Sequence, residues 1–284
     1  MKSIFTLLLT IAFSICAIAN VSNSEKSILL KLYKATNGNH WNVKWDLNAP
    51  VTTWQGVKIK NGNVVGLNLS NNNLVGNLPK EITDLKNLVE LDLFKNEISG
   101  TIPENIGKLQ ELEELNLSFN KLTGSIPNSI CEMKHLKVLM IFMNKLSGEL
   151  PSQIGNLKEL EVVSLFNNQL SGELPASLYN LQNLRELALS SNNFSGHISP
   201  KVENLASLKT LSLFDNKMNG EIPFNIVKLE NLDKVNLAYN SFSGRVPNVL
   251  AKKNGFNLTM RNESGVAFKL EVSDSTKGIL AADE

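Results

Sequence analysis

The chain has 284 residues, 28 Lys and Arg against 27 Asp and Glu, and a formal charge of +1. That balance leaves no basic stripe for nucleic acid and no acidic tail for storing metal. No apolar run after residue 20 is long enough to cross a bilayer, so the mature chain is expected to be exported and not membrane-spanning.

The first residues read as a leader. Lys2 is a short positive start, Ile4 to Ile15 is mostly apolar, and Ala17-Ile18-Ala19 is a small-x-small cleavage signal. Residues 1–19 are therefore expected to be a secretory signal peptide cut near Ala19. A lipid anchor at Cys16 is disfavoured by the bulky Ile15 before it. Loss of Lys2 brings the formal charge to zero, and Cys131 is left as the one cysteine. A single thiol makes no internal disulfide, so stability has to come from packing.

Residues 20–63 are expected to form an N-terminal cap. Ser22-x-x-Glu25 fits a capping box. Ile28, Leu29, Leu32 and Tyr33 then fall on one helical face. Trp41, Trp45 and Trp54 are expected to plug an open end, with aromatic sugar binding as the alternative.

A repeat dominates the rest. Asn72, Asn96, Asn120, Asn144, Asn168, Asn192, Asn216 and Asn240 stand 24 residues apart without exception. A Gly follows each at the fourth place and a Pro at the seventh, except where Ser199 stands with Pro200 one place late. The unit reads LxxLxLxxNxLxGxIPxxIGxL. Alternating Leu positions such as Leu91 and Leu93 describe a short strand with one buried face. An amide side chain offers donors and an acceptor to backbone left unpaired where the chain turns. The eight Asn therefore form an internal ladder, whereas Asp would lose the donors and bury charge. One such turn cannot bury its own apolar side, but stacked turns share a core.

These repeats resemble leucine-rich repeats, and "LSGxIP" is similar to the 24-residue type of plant receptor ectodomains and polygalacturonase inhibitors. The cap segment "LLKLYKATNGNHWNVKWDLNAPVTTWQGV" is similar to exported bacterial leucine-rich repeat proteins of Bacteroidetes-like organisms. The paired cap cysteines usual in the plant proteins are missing here. The resemblance implies an α/β repeat solenoid. It would be a curved coil over residues 64–253 with a parallel concave sheet, a helical N-terminal cap and a short β cap over 254–284. "FNLTMRNESGVAFKLEV" reads as two strands around a polar turn, followed by a loosely ordered tail.

The variable positions lie on the concave face. Two places before each Asn stand Ser70, Phe94, Ser118, Phe142, Phe166, Ser190, Phe214 and Ala238, and Phe119, Met143 and Tyr239 occupy the next place in three repeats. Val138, Met140, Phe142, Met143, Val162 and Phe166 are expected to make one outward apolar patch, with Phe94 and Phe214 on the same face. Such patches mark contact sites, although Phe residues also stack to stabilise a coil. Glu90, Asp92, Glu113 and Glu114 make an acidic rim, or ordinary solubilising charge. His40, His135 and His197 lie far apart in the repeat, which argues against a triad or metal centre. The sequons at Asn68, Asn116, Asn193, Asn257 and Asn262 arise largely from the repeat pattern itself. The expectation is a secreted, non-enzymatic module with no cofactor that binds a protein or peptide, less readily a glycan. The alternatives are a structural or adhesive envelope protein and, from the plant resemblance alone, an inhibitor of a secreted polysaccharide hydrolase.

Overall fold

The structure is a computed structural model that describes residues 21–254, 256–257, 259–262 and 264–273. The leader expected over 1–19 and the tail 274–284 lie outside the described residues.

Each 24-residue turn opens with a short strand. In Glu90–Asp92 the central Leu91 is buried and its neighbours are half-buried, as alternation along a strand demands. Successive strands pair in parallel and without slip: Leu91 faces Leu115, and Leu115 faces Leu139. They join a nine-stranded sheet that starts with the antiparallel pair Val57–Lys60 and Asn63–Asn68 and ends at Lys234–Asn236. This sheet is the concave face.

The chain then turns through the Asn. Asn144 Nδ2 donates to the Leu117 and Ile141 carbonyls at 3.0 and 3.1 Å, and its Oδ1 accepts from the Leu122 N–H at 2.9 Å. Asn96, Asn120, Asn168, Asn192, Asn216 and Asn240 bond to the carbonyls three and 27 residues before them in the same way. Each amide thus ties one turn to the previous one. Asn144 and Asn216 are half-buried, whereas the other six are buried.

Beyond the Asn, short parallel ladders such as Val75–Asn77, Glu97–Gly100 and Lys121–Leu122 form a second edge. Here the glycine matters. Gly76 has φ +131°, and a Cβ on it would lie 2.1 Å from the Ala35 carbonyl oxygen. Only Gly lets the first turn approach the helix above it this closely.

The return leg is a 3-10 helix, for example Asn128–Glu132 after Pro127, and not an α-helix. The steeper rise of a 3-10 turn, about 2.0 Å per residue, lets a short leg close the coil. Leu93, Ile98, Ile102, Ile106, Leu109 and Leu112 point inward from all sides of one turn and are buried, and the same column continues through the coil.

At the N-terminal end the helix Asn23–Ala35 lays Ile28, Leu29, Leu32 and Tyr33 on the first turn. Ser22 Oγ accepts from the Glu25 N–H at 3.2 Å, which forms half of the expected capping box. The three tryptophans are buried, and Trp45 stacks on Trp54 with ring centres 4.7 Å apart. Their indole N–H groups donate to the Thr36, Gln55 and Asp46 carbonyls, each at 2.9 Å. With both faces covered, these rings are packing and offer no platform to a sugar. At the other end Thr259–Arg261 and Ala267–Lys269 form the antiparallel pair read from the sequence. Glu271–Ser273, which the sequence pattern did not announce, pairs in parallel with Arg245–Pro247.

Candidate functional site

The concave sheet is divided along its length by what the variable positions carry. The middle is aromatic. Phe142 and Phe166 stack with centres 4.3 Å apart and planes at 12°. Phe119 meets Phe94 and Phe142 edge-on, at 5.4 and 5.5 Å. Phe94 and Phe142 stand 6.4 Å apart. Val138, Met140, Met143 and Val162 are half-buried around these rings, as are Phe94, Phe142 and Phe166 themselves.

Two positions depart from the sequence expectation. The place two before the Asn does not always face outward: Ser118 and Ala238 are both 0 % exposed. Ser118 lies between Phe94 and Phe142 in the row and precedes Phe119, and those rings are in mutual contact. Its N–H donates to Asn116 Oδ1 at 3.2 Å, but its Oγ has no partner. Phe214 stands apart from the central group. It meets Tyr239 at 5.1 Å, and the Arg261 guanidinium lies 4.4 Å from the Tyr239 ring centre. Between the two aromatic groups runs a small polar stretch in which Ser190 Oγ and Ser212 Oγ are 2.6 Å apart.

The position just before the Asn is left-handed in every turn. Phe119 has φ 54°, Met143 φ 55° and Tyr239 φ 58°. Bulky side chains resist this conformation, and Asn tolerates it best. Asn71 and Asn167 occupy the same position with φ 53° and 56°. A cleft of about 570 Å³ runs beside this row, lined by Phe119, Met143 and Asn167 together with Glu97, Lys121 and Lys145.

The acidic group sits beside the rings. Glu90 and Glu114 are directly paired across neighbouring strands, an arrangement that destabilises a sheet. Lys58 Nζ meets Glu90 at 2.5 Å. Asn68 Nδ2 donates to Asp92 at 3.2 Å, and Asp92 Oδ1 accepts from the Phe94 N–H at 2.9 Å. Burial, and then the charge of Glu90, push the Asp92 carboxyl above its usual range despite the Phe94 hydrogen bond. Burial pushes Glu114 up as well, with Glu90 and Asp92 adding to it. Glu113, just before the strand Glu114–Asn116, pairs with Lys137 at 2.7 Å, so it is a neutralised flank of the rim. Sequence reasoning missed Lys58. Its signal is Gly66 in the opposite strand, where a Cβ would lie 2.9 Å from the Lys58 stem.

Among the described residues no helix is long and apolar enough to cross a membrane. His40 bonds Asn37, while His135 pairs with Glu159 at 3.1 Å in another part of the coil.

Residues 97–197 match the model of a leucine-rich repeat region, and residues 63–85 match a leucine-rich repeat. No curated protein matches the chain in sequence. Among solved structures, PEPR1–AtPEP1 is 34% identical with a TM-score of 0.73, over 79% of this chain and 32% of that one. The Arabidopsis receptor kinase HAESA, in complex with the peptide hormone IDA and the co-receptor SERK1, is 32% identical with a TM-score of 0.66, over 83% of this chain and 45% of that one. The BIR3–SERK2 complex from Arabidopsis thaliana is 34% identical with a TM-score of 0.50, over 58% of this chain and 92% of that one. The chain thus spans about a third of the length of the first of these relatives. Matching repeat models, the parallel concave sheet and its Asn ladder place the chain in the leucine-rich repeat family.

Proposed function

We propose that the protein is an exported, non-enzymatic binding module that takes up a protein or peptide on its concave face. One observation carries this. Phe94, Phe119, Phe142 and Phe166 cluster with Met140 and Met143 on a surface that the coil does not need to be apolar. The framework is already complete in turns that carry Ser70 or Ser190 at the same place. Aromatic and Met side chains suit adaptable protein contacts. Two features support the reading. HAESA, of similar fold, is solved with a peptide hormone, and the first 19 residues have the composition of an export signal.

The test is affinity capture from the native surroundings, using the wild-type chain and the Phe142→Ser, Phe166→Ser double variant as paired baits. The serines are those the coil already uses at positions 70 and 190. The variant is expected to keep its fold and lose the partner. A variant that melts clearly earlier yet retains the partner makes the rings part of the scaffold and sinks the proposal.

A further inference from the structure

The acidic group and the aromatic cluster are adjacent, and together they specify more than "a peptide". Glu90 and Glu114 face each other across neighbouring strands, and Asp92 lies two residues from Glu90 on the same face. The equivalent positions one and two turns on are Val138 and Val162, so the coil does not require carboxylates here. Among the described residues Lys58 is the cation bonded to this group, and it meets Glu90. The nearby Lys137 is engaged by Glu113. Ser118, at the position between Phe94 and Phe142 in the row, is wholly buried and its hydroxyl has no partner.

We propose that the concave face takes an extended peptide segment whose Lys or Arg head meets Glu90, Asp92 and Glu114 and whose following bulky apolar side chain packs on the Phe142–Phe166 stack. This rests on the concave face being a peptide-binding surface. The cation's stem lies along Phe94, since long basic side chains bury their methylenes and leave the head at the polar end. Ammonium and guanidinium groups bring donors and no acceptor. That matches carboxylates, which only accept. An acidic or wholly apolar segment would instead bury like charges with no partner. The spacing follows from the sheet. The carboxylates and the stacked rings are about two strands apart across the sheet and two to four residues apart along it, roughly 12–17 Å in all, and an extended chain covers about 3.4 Å per residue. The cation and the apolar side chain are therefore about three to five residues apart.

The titratable groups facing the site are Glu90, Asp92, Glu114 and Lys58, flanked by the Glu113–Lys137 pair. Asp92 and Glu114 ionise above the usual carboxylate range, so affinity rises with pH through that raised range.

The experiment selects from a display library of random linear peptides on the immobilised chain, then measures synthetic copies of the enriched sequences. Enriched peptides are expected to carry Lys or Arg about three to five residues from a bulky apolar residue. The Asp92→Asn, Glu114→Gln double variant should bind them at least about tenfold more weakly at a thermal midpoint no lower than that of the wild type, and added salt should weaken the wild type. Enriched peptides without a basic residue overturn the cation. So does binding that ignores the charge-removing pair yet is lost in Phe142→Ser, Phe166→Ser, and that result leaves the concave face standing. No enrichment, or binding indifferent to both pairs, overturns this inference and the concave-face reading together.

Discussion

The Tyr179 hydroxyl accepts a hydrogen bond of 3.1 Å from the Ser199 N–H. In the other seven repeats the residue at this point is Pro, which has no N–H to satisfy. The one repeat with Ser there must place an additional donor, and Tyr179, buried in the preceding turn, receives it. Burial also pushes its phenol above the usual range. Gly107, Cys131 and Gly155 hold the equivalent place in earlier turns. Tyr179→Phe should therefore cost about 1 kcal/mol, the low end of the penalty for an unpaired donor, because Ser199 is half-buried. Ser199 has φ −65°, which Pro can adopt. In a Ser199→Pro background the Tyr179 change should be nearly free. Denaturant titration of the four-member cycle measures this, and an equal cost in both backgrounds removes the compensation.

Asn144→Ala leaves the Leu122 N–H without its partner and takes one donor from each of the Leu117 and Ile141 carbonyls, which still accept from Asn120 and Asn168 Nδ2. They belong to two turns, so the loss loosens a junction as well as a bend. The expected destabilisation is about 1–3 kcal/mol. Asn144 is half-buried, so solvent softens the penalty, and Asn120→Ala, at a buried position, should cost at least as much. A chemical denaturation midpoint that stays put for both would remove the amide ladder as a source of stability.

Repetition decided what was legible in the sequence. The Leu, Asn, Gly and Pro positions meet the same surroundings in every turn, so one turn read correctly gives the coil. The variable face was legible as a face, because alternation puts residues such as Asp92 and Phe94 on one side of a strand. It was not legible as a cluster. Ser118 is buried beside a row in which the rings of Phe94, Phe119 and Phe142 are in mutual contact, and ring orientation leaves no mark on spacing. The Tyr179–Ser199 bond spans 20 residues that are distant in the repeat but adjacent across a turn. Lys58 comes from an antiparallel strand outside the repeat, so no periodicity places it beside Glu90.

Glu25 gives a pH dependence. The residue is 8 % exposed, one carboxyl oxygen accepts from the Val64 N–H at 3.3 Å, and the other has no partner. Burial raises its pKa, against smaller lowering by the Val64 and Ser22 hydrogen bonds. The folded state therefore holds this proton to higher pH than the unfolded chain does. The protonated group's contribution is fully present below the ordinary Glu range and is lost as pH rises through the raised folded value. Glu25→Gln keeps an acceptor for Val64 and removes the ionisation. The variant should gain on the wild type in thermal midpoint as pH rises toward neutral, and the gap should close in acid. Asp92 and Glu114 shift in the same direction, so the difference between the two proteins is the readout. A gap that widens in acid reverses the sign and rules this account out.

Phe119 sets stability against binding. Its left-handed backbone, φ 54°, suits Asn, and the ring is 39 % exposed. Phe119→Asn relieves backbone strain of about 1–2 kcal/mol. It also removes edge-on contacts with Phe94 and Phe142, each contributing about 0.5–1.5 kcal/mol beyond area burial. The opposing effects leave stability within about 1 kcal/mol of wild type, a shift of a few degrees in a chain of this size. Affinity for an enriched peptide should fall much further, by about 2 kcal/mol or more if the ring anchors the interface. Thermal denaturation and peptide titration on one preparation separate the alternatives. If the variant loses several kcal/mol of stability and keeps its peptide, a left-handed Phe is serving the coil, and the aromatic cluster ceases to be a binding surface.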